Sequence, residues 1–156
     1  MCDNKYMEIA INEAKLGIEK RHGGPFGAII VKDGKIIAQN HNRVIETNDP
    51  TAHAEMLVIR EASKILNTFD LSECILYTSC EPCPMCYSAV HWAKIPIVYY
   101  GATKHDAKTI GFDDEYIYEV LLGKAKDNKL SLKNISRDSA LKIFSLYEKD
   151  DKKCLY

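Results

Sequence analysis

No stretch of this chain is apolar for the roughly 20 residues that a bilayer-spanning helix needs, so a helical membrane span is excluded. Neither sign of charge dominates. Lys and Arg number 21 against 22 Asp and Glu, a formal net charge of -1, so bulk electrostatics offers no surface for a nucleic acid or other polyanion. No internal repeat, low-complexity tract or linker is present, which excludes solenoids and disordered arrays and leaves one domain over 1–156. A chain this long buries roughly 70% of its unfolded surface and can form a core without disulfides. The start, Met1-Cys2-Asp3-Asn4-Lys5, lacks the charged-then-apolar plan of a secretory signal, so the expected compartment is the reducing cytoplasm. Proline is scarce, at five residues, yet two of the five flank Cys83.

That cluster, Pro82-Cys83-Pro84-Met85-Cys86, follows an earlier His53-Ala54-Glu55. Zinc favours tetrahedral nitrogen and sulfur ligation, and a catalytic site keeps one position for water where a structural site closes all four. His53, Cys83 and Cys86 supply three ligands. Glu55, two residues from His53, reaches the water without ligating. Residues 56–81 leave room for a helix, a turn and a strand, so two helix starts converge on one metal ion per active site. N–H groups at such starts favour thiolates. Two plainer readings compete. Cys80, Cys83 and Cys86 with His53 would close a structural zinc site and leave Glu55 idle. Alternatively, Cys83 and Cys86 form a redox pair, and His53 is idle as well. Of the other cysteines, Cys2 and Cys154 read as bystanders, Cys74 as core filling, and Cys80 as packing or loop structure. His22, His41, His91 and His105 read as surface or hydrogen-bonded side chains.

Met7, Ala10, Ile11, Ala14 and Ile18 recur at helical spacing, predicting a helix over 4–20 capped by Asp3. A strand over 26–31, an Asp33-Gly34 turn and a strand over 35–40 make a hairpin. A polar loop over 43–50 leads to a helix over 52–66, capped by Thr51 and burying Met56, Ile59 and Leu66. A strand over 75–78, a helix over 83–93 and a strand over 97–100 follow. A short helix starts at Asp113 or Asp114, a last weak strand covers 130–135, and Ser136 or Asp138 caps a final helix. The fold class expected is α/β: a three-layer α/β/α arrangement whose mixed five-stranded sheet opens with the antiparallel hairpin and continues with parallel strands, helices covering both faces.

H-x-E followed by P-C-x-x-C is the signature of zinc-dependent base deaminases. Gly24-Pro25-Phe26-Gly27-Ala28 and Cys80-Glu81-Pro82-Cys83-Pro84-Met85-Cys86 extend it. Asn48-Asp49-Pro50-Thr51-Ala52-His53, Gly111-Phe112-Asp113-Asp114, Ile117-Tyr118 and a terminal Tyr156 narrow it further. On these residues the chain resembles the bacterial guanine deaminases of the cytidine and deoxycytidylate deaminase superfamily. The resemblance implies hydrolysis of guanine to xanthine and ammonia at one zinc ion. Glu55 would be the proton shuttle and Asp114 a second proton carrier, with Phe26, Asn42, Ala54, Trp92 and Tyr156 contacting the purine. It also implies a homodimer that exchanges the C-terminal segment, about 125–156, so that Tyr156 closes the partner's site. The stretch Lys149 to Leu155 departs from the family pattern. Read without the resemblance, Asn42 ends a strand, Phe26 and Trp92 belong to a core, and Asp114 caps a helix.

Three rivals remain. A tRNA adenosine deaminase would use Lys124, Lys126, Lys129, Lys133 and Arg137 on phosphates, though acidic residues flank that stretch. A deaminase of cytosine, guanosine or an aminotriazine would share the metal chemistry. A non-catalytic zinc module would have no use for Glu55. The expected partners are a small purine and a second copy of the chain, with neither nucleic acid nor membrane.

Overall fold

The computed structural model describes residues 4–156. The sequence assignments for Cys2 and Asp3 lie outside the described residues. Helix α1 (Asn4–Glu19) leads into β1 (Gly27–Lys32) and β2 (Lys35–His41), followed by α2 (Val44–Thr47) and α3 (Ala54–Leu66). Then come β3 (Ile75–Cys80), α4 (Pro84–Trp92), β4 (Ile97–Ala102), α5 (Lys104–Thr109), α6 (Glu115–Leu121) and α7 (Arg137–Glu148).

The strands form one sheet in the order β2-β1-β3-β4. β1 pairs antiparallel with both β2 and β3, and β3 pairs parallel with β4. Asp33 and Gly34 at the hairpin tip both have positive φ, 50° and 73°, as a type I′ turn requires. Alternation along β1 splits its side chains between two cores. Ala28 and Ile30 pack with Leu76 against Ala54, Val58 and Ala62 of α3 and Val90 of α4. Ile29 and Val31 pack with Tyr77 against Tyr6 and Ala10 of α1. The three-layer α/β/α arrangement stands, and its mixed sheet has four strands where the sequence predicts five.

The missing strand is 130–135. In this chain β4 is the edge of the sheet, and Leu130, Leu132 and Ile135 are exposed. A β ladder needs a neighbour, and here the segment has none. α7 likewise buries none of its residues and leaves Ile143, Phe144 and Leu146 exposed. No helix among the described residues is long and apolar enough to cross a membrane.

Other assignments shift for local reasons. α1 buries Tyr6, Ala10, Ala14 and Gly17, whereas Ile11 and Ile18 are exposed. The buried stripe is the one of small residues, because α1 lies against the backbone of β1. A Cβ on Gly27 would sit 2.2 Å from the Ala10 carbonyl oxygen and 2.4 Å from the Ala14 nitrogen. α3 starts at Ala54 with His53 as N-cap, so Thr51 is not its cap; the Thr51 N–H and hydroxyl bond Asp49 Oδ1 in a turn instead. Met56, Ile59 and Leu66 are half-buried, and the fully buried positions of α3 are Ala54, Glu55, Val58 and Ala62. Ser136 does occupy the N-cap position of α7, in a left-handed conformation (φ 54°) and with no side-chain cap bond. α2 and α5 were not expected from the sequence; they are single turns, and α5 is held by a Thr103/Asp106 capping box.

Gly27→Ala forces a methyl into backbone atoms that cannot swing aside. It is expected to cost roughly 2–4 kcal/mol, seen in thermal unfolding as a fall of roughly 5–15 °C in Tm.

Candidate active site

Two helices begin at one place. His53 is the N-cap residue of α3 and Cys83 that of α4, both in extended backbone conformation, with Pro84 opening α4. Cys86 lies one turn into α4, and its N–H points at Cys83 Sγ, 3.5 Å away. His53 Nδ1 lies 3.5 Å from Cys83 Sγ and 3.6 Å from Cys86 Sγ. A tetrahedral zinc with ordinary Zn–N and Zn–S bond lengths sets each N···S edge at about 3.6 Å. The geometry and the soft donor set therefore fit zinc. Among the described residues these three are the His, Cys, Asp or Glu group whose ligand atoms all lie within 4.8 Å of one another. Cys80 does not join them; its thiol faces the Thr103 carbonyl at 3.7 Å, so the closed three-cysteine site is not formed.

The electrostatics of the protein groups agree. The neighbouring Cys86 thiol, helped by His53, holds Cys83 down at about 4, a thiolate at neutral pH. Cys86 is pushed the other way, by its hydrogen bond to Cys83 and by burial, so the two sulfurs compete for one proton. The bond to Cys83 raises His53. Burial pushes Glu55 above the usual carboxylate range. Its side chain is held on both oxygens, by the Thr78 hydroxyl at 3.3 Å and by the Cys86 thiol at 3.5 Å.

Beside the triad is a cavity of about 320 Å³, lined by Phe26, His53, Glu55, Cys80, Glu81, Cys83, Ala107, Gly111, Phe112, Asp113, Asp114 and Ile117. Phe26 and Phe112 meet edge to face across it, with centroids 4.9 Å apart. Asp114 caps α6 by position but makes no cap bond, and its buried Oδ1 has no hydrogen-bond partner. Burial, then the Cys83 charge, raises its pKa.

The structure thus gathers His53, Cys83, Cys86, Glu55, Asp114 and Phe26. Asn42 is buried at the end of β2, and its Oδ1 accepts from the N–H groups of Gly24 and Val44 at 3.2 Å each. Only its NH₂ group remains to meet a ligand. The Ala54 side chain belongs to the core, so any contact from it is through the backbone. Trp92 and Tyr156 do not line this cavity within the single chain. In this chain both are exposed and line a different cavity, with ring centroids 5.8 Å apart, because Trp92 ends α4 at the opposite pole from Cys83. Sequence reasoning missed Thr78, which an inward position on β3 would have flagged. It also missed Phe112, which lay unremarked inside Gly111-Phe112-Asp113-Asp114.

The donor set predicts one zinc per chain by metal analysis. Cys83→Ser or Cys86→Ser removes a ligand and should weaken zinc binding beyond the roughly 10- to 100-fold lost with an outer-shell partner; competition with a chelator measures it.

Comparison with known proteins agrees. The model of the cytidine and deoxycytidylate deaminase zinc-binding region matches residues 1–102. Guanine deaminase of Bacillus subtilis is 44% identical over 147 residues, 94% of each chain. The X-ray structure of a guanine deaminase from that organism superposes with a TM-score of 0.93 at 42% identity, covering 100% of this chain and 99% of the other. A tRNA-specific adenosine deaminase of Aquifex aeolicus is 50% identical over 97 residues, 62% of this chain and 64% of that one. With the zinc ligands assembled and more than half its length matched, the chain belongs to the cytidine and deoxycytidylate deaminase family and is a zinc-dependent aminohydrolase.

Proposed function

We propose that this enzyme hydrolyses guanine to xanthine and ammonia in the cavity beside His53, Cys83 and Cys86. Zinc, when bound there, makes water acidic enough to ionise near neutral pH. Glu55 takes the proton that water gives up as its oxygen bonds the ring carbon bearing the amine. It delivers that proton to the adjacent ring nitrogen. As the carbon–nitrogen bond breaks, the amine leaves as ammonia, with Asp114 in reach to supply or steady the proton it needs. Phe26 and Phe112 offer faces to a flat ring, and the Asn42 NH₂ group suits a ring acceptor. The observation that carries the reading is the cavity beside the zinc triad, whose lining brings the carboxyl residues Glu55 and Asp114 together with His53 and Cys83. Likeness to a guanine deaminase along nearly the whole chain supports guanine as the substrate.

A tRNA adenosine deaminase is the second reading, favoured by the 50% identity over 97 residues. That match covers a smaller share of both chains. Incubation of zinc-loaded enzyme with guanine, adenine, cytosine and guanosine should release ammonia from guanine first, with no inosine formed in tRNA. Glu55→Gln should keep its zinc and lose roughly 10²- to 10⁴-fold in kcat; near-normal turnover would end the proton-shuttle role. Ligand thiols need a reducing compartment, which supports the cytoplasm.

The working unit is a homodimer that exchanges residues 125–156, the rest of 1–156 forming one deaminase domain. The support is energetic. An isolated helix of 12 residues is marginal in water, yet α7 exposes Ile143, Phe144, Leu146 and Tyr147. β4 meanwhile keeps an open edge on which 130–135 of a second copy could add a fifth strand. Tyr156 and Trp92 would then come to the cavity from across the interface. Sedimentation should show two chains per particle. Tyr156→Ala and Glu55→Gln chains, each impaired alone, should regain activity when refolded together, because one site of the mixed dimer holds both native residues. No regain means the tail stays with its own chain.

A further inference from the structure

Asp114 has little to hold it. Its Oδ1 has no partner, its other oxygen makes no cap bond, and α6 buries none of its residues. The start of α6 meets α5 through ion pairs with at least one partner exposed in each: Lys108 with Glu115 at 3.0 Å and with Asp113, just before α6, at 3.6 Å, and His105 with Glu115 at 3.2 Å. Exposed pairs of this kind fix geometry poorly. Tyr116 bonds Asp127 and Asn128, which lie downstream of α6 in the chain.

Tyr118 is different. Its hydroxyl donates to the carbonyl oxygen of Pro82 at 2.7 Å. Among the described residues it is the hydrogen bond that runs from α6 to the loop bearing the metal ligands, and Pro82 immediately precedes Cys83. The other end is equally direct. The Tyr118 N–H bonds the Asp114 carbonyl at 3.3 Å, and the Ile117 N–H does so at 3.1 Å, so one helical turn joins the phenol to Asp114. The ring is braced in turn. Lys104 Nζ lies 5.2 Å over it, and Lys104 is locked to Glu81, the residue before Pro82, by N–H and Nζ contacts of 3.0 and 3.2 Å.

We propose that Tyr118 is a positioning residue, whose bond to the Pro82 carbonyl holds Asp114 in register with the metal ligands. This rests on the reading of Asp114 as a proton carrier. Tyr118 does not touch the substrate; it acts through Asp114. Tyr118→Phe removes one oxygen and keeps the ring on its lysine, so the fold is preserved.

The test is a double-mutant cycle on the zinc-loaded, full-length enzyme with guanine as substrate, together with metal analysis and thermal unfolding. Tyr118→Phe should lower kcat about 10-fold, as loss of a net hydrogen bond allows, with KM changed less than about twofold and one zinc retained. In an Asp114→Asn background the same change should lower kcat no further, because its target is already gone. Wild-type kcat in Tyr118→Phe, with Asp114→Asn impaired, overturns the positioning role and leaves the role of Asp114 standing. Wild-type kcat in Asp114→Asn overturns both. Additive losses, or zinc loss in Tyr118→Phe, mean that Tyr118 serves the metal loop independently of Asp114, and the proposal fails.

Discussion

The convergence of two helix N-termini on one point is the constraint behind the whole site. α3 and α4 both start at the end of the sheet where β3 finishes and the antiparallel β1 begins, with His53 and Cys83 in the capping positions. An N-cap residue keeps an extended backbone while its carbonyl already accepts the first bond of the helix. Its side chain therefore projects along the axis, ahead of the free N–H groups. Two such side chains facing each other, plus Cys86 one turn behind, make a donor triangle without any strained backbone. The same N–H groups stabilise anionic sulfur, and the Cys86 N–H aimed at Cys83 Sγ is a direct instance. The core explains why the helix starts stay put. Ala54 is fully buried against Ala28 and Leu76 of the sheet, and Val90 anchors α4 to the same cluster.

Burial of Glu55 follows from that packing and sets its chemistry. A carboxylate on the first turn of α3, only 5% exposed, has lost most of its water. The Thr78 hydroxyl replaces part of it. Such a group holds a proton more readily than a surface glutamate and still gives it up, which is the property a proton shuttle needs. Placing Glu55 two residues after His53 at the start of the same helix makes its distance from the metal site a matter of helix geometry and not of loop conformation.

What the sequence made legible divides along the same line. His53, Glu55, Cys83 and Cys86 could be read because their chemistry is carried by residue type and spacing. β1 and the Asp33-Gly34 turn could be read because burial on both faces and positive φ leave local marks. The stripe of α1 could not, since hydrophobicity points to Ile11 and Ile18 whereas the close approach at Gly27 selects Ala10, Ala14 and Gly17. Thr51 looked like a cap, but Asp49 claims it two residues earlier. Leu130 to Ile135 carries a strand pattern whose partner is absent from its own chain. The lone Asp114 oxygen has no local signature at all, because lacking a partner is a property of the folded surroundings.

On the proposed reading, the Asp114 carboxyl group also bears on selectivity. The metal chemistry is indifferent to the ring, because cytosine, adenine and guanine all carry an amine on an electrophilic carbon. Discrimination has to come from the walls, and an apolar wall separates flat rings weakly. A buried acceptor without a partner separates them strongly, since a ligand that offers it an N–H relieves the cost of leaving it unpaired and one that does not perpetuates it. Under the proposed reading Asn42 imposes the converse demand. With Oδ1 occupied by Gly24 and Val44, it can only donate, and so asks for a ring acceptor. On the proposed reading, a ligand that must donate to Asp114 and accept from Asn42, while packing against the edge-to-face pair of Phe26 and Phe112, is narrowly specified. Guanine, rich in both donors and acceptors around a planar ring, satisfies that description.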